Sequence, residues 1–166
     1  MDVPRRCWVD PRLEVRTSRI EGLGLFATTQ IGRGETVSIL GGRVIDDRDL
    51  ERLAKSGATY NSAAIAEGVN LVLENDETLA RGNHSCDSNL WLRDAFTLEA
   101  RRDIAPGEEV TLDYALLTAV DWEMSCSCGS ERCRGVVRGR DWQRPELQER
   151  YAGHFSPFLN RRMSPK

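Results

Sequence analysis

Three thiols fall within eight residues at Cys126-Ser-Cys128-Gly-Ser-Glu-Arg-Cys133, and Gly129 permits the turns that bring their sulfurs to one point. Thiolates ligate zinc, which takes four donors in a tetrahedron with sulfur at about 2.3 Å. The fourth donor must come from elsewhere, and spacing leaves Cys86, His84, Cys7 and His154 open. A disulfide between residues two apart would be strained. The five cysteines are an odd number, which fits a metal cluster better than a disulfide framework.

A second chemical concentration is Asn83-His84-Ser85-Cys86-Asp87-Ser88-Asn89, a polar run between two apolar ones. Buried polar groups are expensive unless partnered, so the run reads either as a site or as an exposed turn held by its Asn and Asp side chains. Further on, Glu108-Glu109-Val110-Thr111-Leu112-Asp113-Tyr114 predicts a strand that ends on an acid beside a tyrosine. Such a tyrosine is ordinarily a packing residue.

The elements that must carry these groups are mainly β. Leu13 to Val15 alternates apolar and charged residues, and Gly22, Gly24, Gly32 and Gly34 punctuate the stretch after it. One helix is predicted, capped by Asp46, running through Leu50, Leu53 and Ala54 and closing near Gly57. Tyr60 to Leu73 reads as a hairpin turning at Gly68, and Phe96 to Ala100 and Glu109 to Tyr114 as strands around Ala105-Pro106-Gly107-Glu108. Cys126 to Arg140 has little apolar content beyond Val136 and Val137 and cannot order itself by burial. The tail from Asp141 to Phe158 spaces Trp142, Leu147, Tyr151 and Phe155 nearly as one apolar helix face that packs back on the body.

With 166 residues and 40% hydrophobic content, one domain is expected. The net charge of -3 argues against a general phosphate-binding surface, so no direct nucleic-acid binding is expected. Basic residues are almost all arginine, with Lys55 and Lys166 as the lysines. No apolar run approaches the ~20 residues of a membrane span, and Met1 to Asp10 lacks a leader pattern. No membrane association is expected, and the location is expected to be cytoplasmic.

Taken together, the motifs resemble those of SET-domain protein-lysine methyltransferases. Gly22-Leu23-Gly24-Leu25-Phe26-Ala27 is similar to the family's N-terminal glycine motif, and Asn83 to Asn89 to its Asn-His-Ser-Cys-x-Pro-Asn signature. Gly107 to Tyr114 is similar to its Gly-Glu-Glu-Leu-Thr-Phe-Asp-Tyr strand, and Cys126 to Gly135 to its post-SET cysteine module. The resemblance implies a SET fold of several small curved sheets with a pseudoknot-like C-terminal threading and few short helices. It divides the chain into an N-terminal extension (1–12), SET domain (13–118), post-SET zinc segment (119–139) and C-terminal amphipathic segment (140–166).

It implies S-adenosylmethionine as cofactor, held at Gly22, Leu23, Gly24, Asn83 and His84 and covered by Tyr60. Structural zinc is implied on Cys86, Cys126, Cys128 and Cys133. The implied partner is a protein or peptide presenting a lysine, which meets the methyl group in a tyrosine-lined channel. Tyr114 is then the catalytic residue, orienting rather than abstracting protons because a phenol of pKa ~10 is a poor base. Asp113 is expected to point away and stabilise the fold.

Four departures stand out. Leu112 occupies the position of the family's Phe or Tyr, which influences how many methyl groups are admitted. Ser88 replaces a proline, Gly82 an apolar residue, and Arg81 is displaced by one place from the family's arginine. Trp142 or Phe155 is expected to close over the cofactor. Of the rivals, a dinucleotide fold fails because Gly22-x-Gly24-x-x-Ala27 opens no helix. A Cys86-His84 hydrolase lacks a third member. A catalytically silent, zinc-stabilised module that binds lysine-containing tails is the alternative function.

Overall fold

Runs of two to five residues rich in Val, Ile, Leu and Thr, each cut off by a turn, are too short for helices and pair instead as strands. The computed structural model describes residues 2–74 and 78–163, so Lys166 lies outside it. One sheet pairs β1 (Trp8–Val9), β4 (Thr36–Ile39), β10 (Thr97–Ala100) and β9 (Leu90–Leu92) in that order. A second orders β2 (Leu13–Thr17), β3 (Leu23–Ala27), β11 (Glu109–Leu112) and β8 (Asn83–His84). A third orders β5 (Gly42–Asp46), β7 (Val69–Leu73) and β6 (Ser62–Ala66), and β12 (Glu123–Ser125) pairs with β13 (Val136–Arg138).

The second sheet carries the chemistry. Its β11 is antiparallel to β3 but parallel to β8, with Thr111 opposite Asn83 and Leu112 opposite His84. Parallel partners cannot be joined by a hairpin, so the polar motif and the tyrosine meet through a long crossover. The two strands predicted around Ala105 to Glu108 accordingly belong to different sheets.

The predicted helix is α1 (Asp47–Lys55), where the Asp46 carboxylate accepts the Asp49 N–H at 2.8 Å. The hairpin predicted at Gly68 is β6–β7. Two expectations need correction. The strand before Tyr114 stops at Leu112; Asp113 caps a 3₁₀ turn, Tyr114–Leu116, by accepting the Ala115 N–H at 3.1 Å. The tail is not one helix but a 3₁₀ turn at Asp141–Gln143, α2 (Pro145–Arg150) and α3 (Pro157–Met163). Pro145 and Pro157 each open a new helix, and Gly153 at φ 80° separates the two. Its apolar residues nevertheless all reach the core: Trp142, Leu147, Tyr151, Phe155 and Phe158 are buried with Leu25, Ile31, Leu92, Ile104 and Leu116.

Among the described residues no helix is long and apolar enough to cross a membrane.

Candidate active site and cysteine centre

Two cavities share a wall. The larger, about 300 Å³, is lined mostly by aliphatic side chains, with Tyr60, Leu112, Tyr114 and Trp122 among its walls. The smaller, about 60 Å³, lies among Ile20, Glu21, His84, Met124, Ser125 and Cys126. Asn83 and Tyr114 line both. Tyr114 therefore stands where an apolar chamber meets a polar recess.

Local bonds hold it there. Its N–H donates to His84 Nδ1 at 3.2 Å and its hydroxyl to the Gly82 carbonyl at 3.3 Å. Burial first, and the Glu21 carboxylate second, raise the phenol's pKa above its ordinary value, so it stays protonated at neutral pH. His84 is buried and neutral, its pKa pushed down to about 4 chiefly by burial. Its ring packs 5.1 Å from that of Tyr114.

The glycine motif reaches the recess through its leading turn, where Ser18 N–H donates to the Gly22 carbonyl at 3.0 Å and Ile20 and Glu21 form the lining. Gly22 sits at φ 47°. The Asn83 amide donates to the carbonyls of Glu21 (3.2 Å) and Leu23 (3.0 Å) and to Glu109 Oε1 (2.7 Å). Ser18 Oγ donates to the same carboxylate at 2.8 Å. A Cβ on Gly24 would overlap that carboxylate, so a side chain here must push Glu109 off Asn83 and Ser18. Glu109 thus ties the turn to Asn83, a role the motif match alone does not reveal.

Tyr60, expected over the cofactor, lines the larger cavity and not the recess. Trp142 and Phe155, expected to close over the cofactor, need correction: both are core residues, 8% and 1% exposed, and neither lines either cavity. Their burial leaves nothing to close over a ligand. A further aromatic at the chamber, beside Tyr60 and Tyr114, is Trp122, 37% exposed, its ring 6.2 Å from that of Tyr114. It is held because Gly139 N–H donates to its carbonyl at 2.8 Å, and because Gly139 lacks a Cβ that would strike the Val120 carbonyl. An apolar ring in an otherwise acidic stretch, Asp121-Trp122-Glu123, is the signal that could have found it.

Cys86, Cys126, Cys128 and Cys133 converge with all four sulfurs within 4.8 Å of one another. Cys86 and Cys126 are 3.8 Å apart, as are Cys126 and Cys133. A tetrahedron with bonds of about 2.3 Å has edges of about 3.8 Å, so the donor set fits a single ion. Of the other candidates for the fourth ligand, His84 touches Cys86 through Nε2 at 3.3 Å, whereas Cys7 bonds to Gly41 and His154 faces the Leu92 carbonyl.

The cluster's electrostatics are unbalanced without a cation. Burial pushes the Cys86 thiol up to about 11 and raises Cys126 as well. Cys128 is pulled down to about 6, because N–H donors from Cys86 and Ser130 outweigh its burial. Four sulfurs packed this closely cannot all ionise unless a cation compensates them.

Asp113 is fully buried and faces away from the cavities, as expected. Both its oxygens accept from Arg134, each at 2.7 Å. Ser88 is buried and donates to the Leu90 carbonyl at 2.9 Å, with its hydroxyl 3.3 Å from that of Tyr151.

Residues 22–115 match the SET domain family, more than half of the chain, and the chain belongs to that family. It is similar to Histone-lysine N-methyltransferase ATX2 of Arabidopsis thaliana, 29% identical over 157 residues, which are 85% of this chain and 14% of that protein. It is also similar to "Histone-lysine N-methyltransferase, H3 lysine-4 specific" of Schizosaccharomyces pombe, 32% identical over 76% of this chain and 15% of that one. Methyltransferase flvH of Aspergillus flavus is 32% identical over 57% of this chain and 60% of its own length. This chain therefore spans about a seventh of the two histone-lysine relatives. The methyltransferase domain of human Histone-lysine N-methyltransferase SETMAR shares the fold, with a TM-score of 0.59 at 21% identity over 76% of this chain and 58% of that one.

Proposed function

We propose that this chain transfers methyl groups from S-adenosylmethionine to the ε-amine of a lysine in a protein or peptide, with Tyr114 between the two reactants. The observation that carries the reading is the shared wall: Tyr114 and Asn83 line both an apolar chamber and a polar recess. Membership of the SET domain family and the similarity to histone-lysine methyltransferases support it.

In this reading the recess receives the cofactor, which supplies an electrophilic methyl group when bound. Ile20, Glu21, Asn83 and His84 hold it, with Gly22 to Gly24 shaping the turn behind them, and the carboxylate of Glu21 suits a cationic ligand. The chamber receives the lysine side chain. Tyr60, Leu112 and Trp122 exclude water there, and an apolar wall lowers the amine's pKa from about 10.4, so that it arrives neutral. The Tyr114 hydroxyl donates its hydrogen bond to the Gly82 carbonyl, which leaves its oxygen lone pairs free for the seam, where positive charge is carried. Holding the amine aligned within about 3 to 3.5 Å of the methyl carbon supplies much of the rate. With Leu112 in place of an aromatic, that wall stays low and successive methylation is expected.

The four cysteines are assigned to structural zinc, and residues 119–139 act as the post-SET module. One zinc per chain, by elemental analysis of reduced protein, is expected. Incubation with methyl-labelled cofactor and a panel of lysine-containing proteins and peptides tests the activity: label recovered on lysine, as one or more increments of a methyl mass, supports it. Cofactor binding with no transfer to any acceptor would instead favour a silent tail-binding module.

A further inference from the structure

Arg134 follows the last cysteine of the cluster, and its contacts lead from that cluster to the turn bearing Tyr114. Its backbone N–H donates to Cys86 Sγ at 3.3 Å. Its guanidinium, 5% exposed, forks onto both oxygens of Asp113 at 2.7 Å each. Its Nε lies 2.9 Å from the Asp141 carboxylate, close enough for an ion pair though not aligned for a hydrogen bond. A bidentate pair of this kind fixes the plane of the carboxylate as well as its position. That matters because Asp113 Oδ1 also accepts the Ala115 N–H and so closes the turn Tyr114–Leu116.

A second link runs beside the first. Cys86 Sγ is 3.3 Å from His84 Nε2, and the opposite nitrogen of that ring accepts the Tyr114 N–H. The cluster therefore reaches two consecutive amides, Tyr114 through His84 and Ala115 through Arg134 and Asp113. The rest of the turn is held by buried Ala115 and Leu116 and by backbone bonds from the Leu116 N–H to the Asp113 carbonyl and from the Thr118 N–H to the Tyr114 carbonyl, each at 3.0 Å. The Gly82 carbonyl fixes only the far end of the Tyr114 side chain, at 3.3 Å, so where that side chain starts from depends on Asp113 and His84.

We infer that Arg134 is a positioning residue for the transfer: through Asp113 it aims the Tyr114 hydroxyl, and it does so only while the cysteine segment is folded onto Cys86. The inference rests on the reading of Tyr114 given above. It makes the catalytic geometry conditional on the metal cluster, which would otherwise be only a brace for residues 126–135.

The test is Arg134→Lys in metal-loaded protein, which keeps the charge and loses the fork. Metal content is expected to stay at one ion per chain, with the cofactor KM changed less than about twofold and kcat lowered about ten- to a hundredfold, as for a small misplacement of a reacting group. In a Tyr114→Phe background the same substitution is expected to cost less than about twofold, because the group it aims is gone. Hydrogen exchange is expected to quicken at the Tyr114 and Ala115 amides and not in β4 or β10.

Equal losses of kcat in both backgrounds, or faster exchange throughout the fold, would overturn the inference. Should Arg134→Lys fail to fold, Asp113→Asn serves, since its remaining oxygen can still accept the Ala115 N–H while the fork on Arg134 is lost. A loss of kcat of about tenfold or more that vanishes in the Tyr114→Phe background is then expected, and an unchanged kcat overturns the inference. If the unsubstituted chain methylates no acceptor, the reading of the activity fails. The exchange result still decides whether Arg134 holds the turn.

Discussion

The sheet core and the cysteine segment are ordered by opposite means. Around Ile31, Leu92, Ile104 and Leu116 the chain is held by burial, with side chains at or near zero exposure drawn from β-strands and the C-terminal helices alike. Residues 126–135 offer no comparable apolar side chain; they are held by four convergent sulfurs and a buried arginine between two carboxylates. Burial is diffuse and tolerates local loss, whereas a tetrahedral ligand set and an ion pair fail as units. Tyr114 sits at the seam, its turn packed on the core and its amides tied to the cluster, so chemistry can be lost with the core intact.

The largest effect that would break or sharpen this contrast is removal of the cluster. Stripping the metal with a chelator, or Cys128→Ser, is expected to abolish at least about 99% of the transfer, because a displacement near 1 Å at a reacting group can cost a hundredfold. Amide exchange should rise from Cys126 to Gly135 and at Tyr114 and Ala115, with the sheets little changed. Collapse of the whole fold on chelation would erase the distinction. The converse substitution is Ile104→Ala, in a fully buried residue whose amide and carbonyl pair with those of Ile31. It is expected to cost about 2 to 5 kcal/mol of global stability in denaturant unfolding, while the folded fraction keeps its metal and its activity. Loss of metal at that mutant would show that the two regions share one source of order.

Smaller and more local is Gly24→Ala. Its Cβ must displace the Glu109 carboxylate, which also receives Asn83 and Ser18, so the recess and the Asn83 edge it shares with the chamber shift while the cluster does not. A loss of cofactor affinity of roughly tenfold, about 1.4 kcal/mol, is expected in calorimetry, with little change in melting temperature. Unaltered affinity would mean that the turn at Ile20 to Gly24 takes no part in holding the cofactor.

The two regions also differ in how far they can be read from sequence. The cluster is legible as three closely spaced thiols, and Cys86 joins them through the motif that contains it. Helix α1 and the hairpin at Gly68 are legible because a cap and a turn residue are local signals. Tyr114 is misplaced on a strand because the stop after Leu112 comes from Asp113 leaving the sheet to bind Arg134, a partner 21 residues away. Trp122 is signalled in sequence only as a ring between two acids; the bond from Gly139 that holds its backbone is a contact only the fold makes. Periodicity correctly marks Trp142, Leu147, Tyr151 and Phe155 as apolar, but two prolines and a glycine break the helix, and burial of Trp142 and Phe155 removes them from any ligand. Tyr60 is placed by the fold beside Asn61 and Ser62 on the wall of the larger cavity, a position that no motif marks.

The central claim is that Tyr114 acts on the reaction rather than on the fold or on cofactor binding. It is tested most directly by measuring, for Tyr114→Phe, both the Kd for S-adenosylmethionine and the rate of labelled methyl transfer to an accepted lysine substrate. The expected outcome is a Kd within about threefold of the unsubstituted chain and a transfer rate lower by about a hundredfold or more, as for loss of a preorganised polar group at a reacting centre. Transfer at an undiminished rate, or a rate that falls only in step with cofactor affinity, would contradict it.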